Sequence, residues 1–247
     1  MLSHQRRAII IDTLRRNGVY TIKEFTKLFS NYSESTIRRD LHFLEQLGQI
    51  ITFHGGDIVL KNKSYEDSFY EKMLQDNEEK IKIAKYAANY IQNGQTIYLD
   101  SSTTVFHMLP FIKKDITIVT NSVKFDTFEP YDFEVYQIGG KVTKESSYGC
   151  YDSMAKDILR RFNFDLAFIG CAGIDENKGI TFPKIEEAIF ERAVQFQSNQ
   201  TYVLSTPSKF FHSYVGKAFS INECDIITTS CPKSLKKYKN IHETIKS

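Results

Sequence analysis

Two adjacent arginines are the first residues here with chemistry to offer. Arg38 and Arg39 sit in the stretch SESTIRRDLHFLEQLG, residues 33–48. A guanidinium can form a bidentate pair with guanine O6 and N7, or clamp a phosphate. Either task needs an arginine that points away from the core. Ile37, Leu41, Leu44 and Leu47 recur at spacings of 4, 3 and 3, which predicts one apolar helix stripe. Arg38 and Arg39 lie about 100° and about 200° around that helix from Ile37, so both face outward. Ser33, Ser35 and Thr36 stand at the helix start, where short hydroxyls and free amides suit phosphate oxygens. Asp40 would repel phosphate, and pairing with a nearby arginine is its expected role. A second set lies farther along. Ser101-Ser102-Thr103-Thr104 follows one apolar run and opens a helix, so its amides and hydroxyls can cradle a phosphate. Asn121 and Gly139-Gly140 end neighbouring runs. Lys209 follows a later one, where an ammonium can neutralise an anion or bond a hydroxyl. Each of these residue types is also ordinary turn chemistry. Their shared place at strand ends is what points to a ligand.

Two different frameworks must position these sets. Ile9, Ile10, Thr13 and Leu14 fall at helical spacing before Asn17-Gly18, a stop signal. Thr21 can cap a second short helix with Ile22, Phe25 and Leu28-Phe29 on one face. Ser33 caps the third, and Gly48 closes it. QIITFHGGDIVL then gives two β-rich runs around a His54-Gly55-Gly56 turn. Three helices and a hairpin describe a winged helix-turn-helix, whose third helix enters the major groove. Gly55 and Gly56 would let His54 and the backbone lie close to the minor groove or flanking phosphates. This domain spans 1–60, a polar linker 61–76, and a larger domain 77–247. Ile81, Ala84, Ala88 and Ile91 predict a helix face over 78–92. Then TIYLD, ITIVTN, FEVYQIGG, LAFIGC, TYVLST and DIITTS alternate with helical stretches around 104–113, 150–162 and 184–199. That alternation predicts an α/β fold, an open, mostly parallel sheet covered on both faces. Ligands bind such sheets at the carboxyl ends of strands. The lysine-rich end, KSLKKYKNIHETIKS, reads as a solvated basic tail.

Composition narrows the classes. Residues 1–60 hold 8 Lys+Arg against 6 Asp+Glu, so they carry the whole +2 net charge of the chain. That balance hints weakly at an anionic partner for the first domain. No apolar run approaches the ~18 residues of a membrane span, and the N-terminus lacks a leader pattern, so the expected compartment is the cytoplasm. Cys150, Cys171, Cys224 and Cys231 make no Cys-x-x-Cys pair and have no histidine at ligand spacing. Reduced thiols are expected, with neither metal nor cofactor.

TIRRDLHFLEQLGQI followed by FHGG resembles the N-terminal signature of DeoR-type bacterial transcriptional regulators. EEKIKIAKYAANYIQNGQTIYLDSSTT, TIVTNS, YQIGG, DLAFIGCAGID and Ser208-Lys209-Phe210 resemble the sensor domain of the same family, so the likeness covers residues 3–230. The resemblance implies a non-enzymatic regulator of sugar metabolism, most often a repressor, that binds double-stranded operator DNA and answers to a phosphorylated sugar. It implies a sensor similar in fold to sugar-phosphate isomerases. Paired half-sites imply a homodimer or a higher homo-oligomer. The chain departs from the family pattern in its SNY turn, which is one residue longer. Ile51 and Thr52 replace basic wing residues. Ser102 stands where the family often has glycine, and Thr206-Pro207 where it usually has Asp-Ser. Two other functions use the same features. An isomerase-like enzyme would need a general base, with Asp100, Asp175, Glu186 and Glu187 best placed. A regulator that has lost effector control would answer only to promoter occupancy or a protein partner. Asp100 and Asp175 are also expected to line the effector site.

Overall fold

The computed structural model describes residues 2–17, 19–47, 49–52, 56–60, 69–113, 115–125, 134–142 and 148–244. They divide into two compact units, Met1–Gln75 and Asp76–Ser247.

In the first unit α1 (Ser3–Asn17), α2 (Ile22–Leu28) and α3 (Glu34–Gln46) surround a small core. Ala8, Ile10, Ile11, Leu14, Phe25, Phe29, Ile37, Leu41 and Leu44 are buried in it. Burying each large apolar side chain contributes about 1.5–3 kcal/mol before chain entropy is subtracted. The stripe on α3 ends one residue early, because Leu47 is 37% exposed. Leu28 likewise turns out to solvent, leaving Phe25 and Phe29 as the inner face of α2. Thr21 caps α2 in a reciprocal box with Glu24, and Ser33 caps α3 through the Thr36 amide. β1 (Val19–Thr21), β3 (Asp57–Leu60) and β2 (Ile50–Thr52) form an antiparallel sheet in that order. Ile51 pairs with Val59 in the hairpin. The sequence reading gives 61–76 to a linker. Residues 61–68 lie outside the described residues, but Phe69–Leu74 form α4, with Phe69 and Met73 buried. Those two apolar side chains hold α4 against α1, so 69–74 belong to the first unit.

The second unit begins with α5 (Asn77–Ala88), which leads into a seven-stranded sheet. Its order is β13-β12-β10-β7-β4-β5-β6, and every pairing is parallel. The strands are β4 (Thr96–Leu99), β5 (Thr117–Thr120), β6 (Glu134–Gln137), β7 (Phe164–Ile169), β10 (Ser198–Leu204), β12 (Asp225–Thr228) and β13 (Ile241–Glu243). α6 (Thr103–Phe106), α7 (Ser153–Leu159) and α8 (Ile185–Phe196) occupy the connections. β13 corrects the basic-tail expectation. Ile226 pairs with Ile241, so three residues of that lysine-rich stretch close the sheet edge. A separate antiparallel sheet, β11 (Gly216–Phe219), β9 (Gly179–Phe182) and β8 (Gly173–Asp175), was not legible in the sequence.

The strand order reverses between β4 and β7. From β4 the chain builds outward to β5 and β6. It then returns to the other side of β4 and builds outward from β7. Such a reversal is where parallel sheets generally bind ligands, at the carboxyl ends of the two strands.

Candidate functional site

In the first unit α3 presents its polar end. Ser33 Oγ lies 2.8 Å from Ser35 Oγ and 2.9 Å from Thr36 Oγ1, so the three hydroxyls form one exposed cluster. Arg38 is exposed and tied back to Glu34, its Nη2 2.6 Å from Oε1. Arg39 is exposed and makes no hydrogen bond or ion pair among the described residues. Asp40 does not point that way. It is buried, and its partners come from α1: Arg6 Nε at 2.5 Å and Arg7 Nε at 2.7 Å. The Arg6 guanidinium lies 4.5 Å over Tyr32, and that of Arg7 3.7 Å over Phe43. This buried lattice fixes α3 on α1 and so fixes the direction of Arg38 and Arg39. Gly56 has φ +93, a conformation side chains rarely adopt. His54 and Gly55 lie outside the described residues.

In the second unit Ser101–Thr104 follow β4 at that reversal and run into α6. Ser102 caps α6 through the Val105 amide at 3.3 Å. Its φ of −75 is ordinary extended backbone, so the glycine usual in the family is not needed here. The room comes from the facing strand. A Cβ on Gly170 would stand 2.3 Å from Ser102 Cβ. Asp100 stitches the two strand ends together. Oδ1 accepts from Ser102 N at 2.8 Å and Oδ2 from Gly170 N at 2.6 Å. Burial pushes its carboxyl up to about 6, although both amides pull it down.

A buried lysine reaches the same loop. Lys80 on α5 is buried, and its Nζ donates to Thr103 Oγ1 at 3.0 Å. It opens the inner stripe of α5, ahead of Ile83, Ala84 and Ala87. Ile81, which the spacing had placed inside, is 36% exposed. Ser101 Oγ lies 2.7 Å from Tyr151 Oη. Asn121 is fully buried beside them, its Nδ2 donating to the Cys150 carbonyl at 3.3 Å. Gly149 covers the group. A Cβ there would fall within 2.9 Å of Asn121 Nδ2, Ser101 Oγ and Tyr151 Cζ.

Lys209 sits in a short 3-10 turn after β10, and its charge reaches Cys171 at the end of β7. Position 206 shows how the chain manages without the usual aspartate. Asp76 Oδ2 accepts hydrogen bonds from Thr206 Oγ1 at 3.1 Å and Ser208 Oγ at 2.7 Å. Asp76 is held at φ 53, left-handed, immediately before α5. A carboxylate therefore stands at this strand end, delivered from another element. Two expected groups lie elsewhere. Gly140 serves the α7 cap, since a Cβ there would stand 2.9 Å from Asp152 Oδ1, and Gly139 has nothing within 4 Å. Asp175 holds the β8–β9 turn, accepting from Asn177 N at 3.0 Å and Lys178 N at 2.9 Å. Asp175 belongs to the antiparallel sheet.

A model of the DeoR-like helix-turn-helix domain matches residues 6–63, and one of the DeoR C-terminal sensor domain matches residues 75–230. The chain is 35% identical to the HTH-type transcriptional regulator FruR of Bacillus subtilis (strain 168), over 93% of this chain and 92% of that one. It is 32% identical to the transcriptional repressor GlcR of the same organism, over 93% of this chain and 89% of that one. It is 28% identical to the glycerol-3-phosphate regulon repressor of Escherichia coli (strain K12), over 94% and 92%. Among solved structures, ribose 5-phosphate isomerase A from Methanocaldococcus jannaschii matches with a TM-score of 0.41 at 17% identity, over 55% of each chain. That likeness is too slight to carry an argument. The two domain matches and the full-length relatives place this chain in the DeoR family of helix-turn-helix transcriptional regulators.

Proposed function

We propose that this protein represses a sugar-metabolism operon and is switched by a phosphorylated sugar. The buried Lys80 ammonium carries the reading. It meets a hydroxyl-rich loop at the reversal between β4 and β7. A cation placed there, with loop amides and Lys209 nearby, suits a phosphate. The relatives that are named repressors support the sense of regulation.

DNA contact falls to α3. Arg39 is free to read a base or clamp a phosphate, while Arg38 must first leave Glu34. Ser33, Ser35 and Thr36 suit flanking phosphates, and His54, Gly55 and Gly56 would approach the backbone. Paired half-sites favour a homodimer or larger assembly. Ile185, Ile189 and Phe196 give α8 an exposed apolar flank suited to a second copy. No described helix is long and apolar enough to cross a membrane. An isomerase-like activity is less favoured, because Asp100 spends both oxygens on amides and Asp175 holds a turn.

Thermal shift across a panel of sugar phosphates tests the effector. A ligand at 100 times its Kd stabilises by about 2.7 kcal/mol. Lys80→Met should abolish that shift while leaving the unliganded protein folded. An unchanged shift in Lys80→Met would remove Lys80 from the site.

A further inference from the structure

Next to the phosphate loop lies a buried group of polar atoms with no assigned work. Glu191 on α8 is 1% exposed, and its Oε2 has no hydrogen-bond partner among the described residues. The hydroxyl of Tyr98, on β4, is equally buried and equally unpartnered. So is Oδ1 of Asn121 at the end of β5, whose amide nitrogen is committed to Cys150. Packing draws these together. The Tyr151 ring meets Phe190, next to Glu191, at 5.6 Å, and its hydroxyl reaches Ser101. Tyr98 points to the same face of β4 as Asp100, two residues on. The charge of Glu191 is felt by both tyrosines, and the charges of Asp100 and Glu187 are felt by Glu191.

A buried polar atom left without a hydrogen-bond partner is costly. Three such atoms in one place are an outlay that a folded domain does not sustain without return. Asn121 Oδ1 is an acceptor, while Tyr98 and the Glu191 carboxyl, which burial pushes well above the usual carboxylate range, can each accept or donate. The site is thus polarised. Donors gather at Lys80 and the Ser101–Thr104 loop, and acceptor capacity gathers at Asn121 and Glu191. An anion fits the first end. A hydrogen-bond donor fits the second.

We infer that the end of the effector remote from its phosphate is rich in hydrogen-bond donors and is held by Glu191, Tyr98 and Asn121. This rests on the sugar-phosphate reading of the same site. The ligand class is a phosphorylated polyhydroxy compound with an amine or several hydroxyls at that end. Glu191→Leu removes both oxygens without opening a cavity, and Tyr98→Phe removes only the hydroxyl. Calorimetric titration of the full chain uses inorganic phosphate, glucose 6-phosphate, sorbitol 6-phosphate and glucosamine 6-phosphate as probes. Removing one partner of a buried hydrogen bond lowers affinity about threefold to a hundredfold. The expected result is that loss in both variants for a donor-ended probe, with inorganic phosphate binding unchanged and melting not lowered. A larger loss for glucosamine 6-phosphate assigns an ammonium; a larger loss for sorbitol 6-phosphate assigns hydroxyls. Wild-type affinity in both variants overturns the inference and leaves the sugar-phosphate reading standing. If no probe binds the wild type, the sugar-phosphate reading falls and this inference falls with it.

Discussion

Asp40→Ala should unfold the reading head far more easily than an exposed charge substitution would. Asp40 keeps 2% of its side-chain exposure, and its partners Arg6 and Arg7 keep 7% and 13%. Both carboxylate oxygens are in use, one per guanidinium. Removing the acid leaves two charges buried against Tyr32 and Phe43 with no anion. Breaking a buried pair in this way costs about 3–5 kcal/mol, whereas exposed pairs are worth about 0.2–1 kcal/mol. Small domains have about 5–15 kcal/mol in total, so roughly a fifth or more of this unit's stability is at stake. The chain has no tryptophan, which favours hydrogen exchange over fluorescence. Amides of α1 and α3 should lose about 3–5 kcal/mol of protection, and those of β7 in the other unit should not change. Pairing the change with Arg6→Met should recover part of the loss, because the orphaned charge goes too. A loss below about 1 kcal/mol would refute the reasoning, and the pair would then be no stronger than a surface contact. DNA affinity should fall in parallel, since Asp40 sets α3 without touching DNA.

Three further outcomes follow from the geometry. Arg39→Ala should cost about 1–3 kcal/mol of specific DNA binding and Arg38→Ala less, measured by operator titration, because Arg38 is already engaged by Glu34. Gly170→Ala should destabilise the sensor by about 1–3 kcal/mol in thermal melts, since its Cβ would stand 2.3 Å from Ser102 Cβ, and Ser102→Gly in the same chain should restore most of it. Asp100 should oppose stability as pH rises. Its folded carboxyl titrates near 6 against 3.8 for the free group, so the native state holds its proton more tightly. Stability is then lost between those values as the buried carboxyl ionises, by on the order of 3 kcal/mol. Relative to wild type, Asp100→Ala should gain in urea denaturation between pH 4 and 7.

Much of the frame was legible because its signals are local. Apolar runs bounded by turn residues marked β4, β5, β6, β7, β10 and β12, and side-chain caps marked α2 and α3. What escaped was tertiary. β13 is a three-residue strand inside a lysine-rich stretch, and only pairing with β12 defines it. The phase of α5 differs from the expected Ile81–Ala84–Ala88–Ile91 face. Lys80 is inside and Ile81 is partly outside, because the loop after β4 offers the ammonium a partner. Asp40 finds its arginines some thirty residues away on another helix. Asp76 replaces a missing strand-end aspartate across 130 residues of sequence. The Ser101–Thr104 loop was legible from its strand-to-helix position. Tyr151, Gly149 and Glu191 were not, since only folding brings them to it.

The proposed function joins DNA reading to effector sensing in one chain. Selection of genomic fragments by the purified protein, with and without the sugar-phosphate panel, tests it most directly. The account predicts enrichment of one discrete operator sequence, lost in Arg39→Ala, and release of that operator by a particular sugar phosphate in wild type but not in Lys80→Met. Enrichment of no sequence, or an operator whose release by sugar phosphates is the same in Lys80→Met, would contradict it.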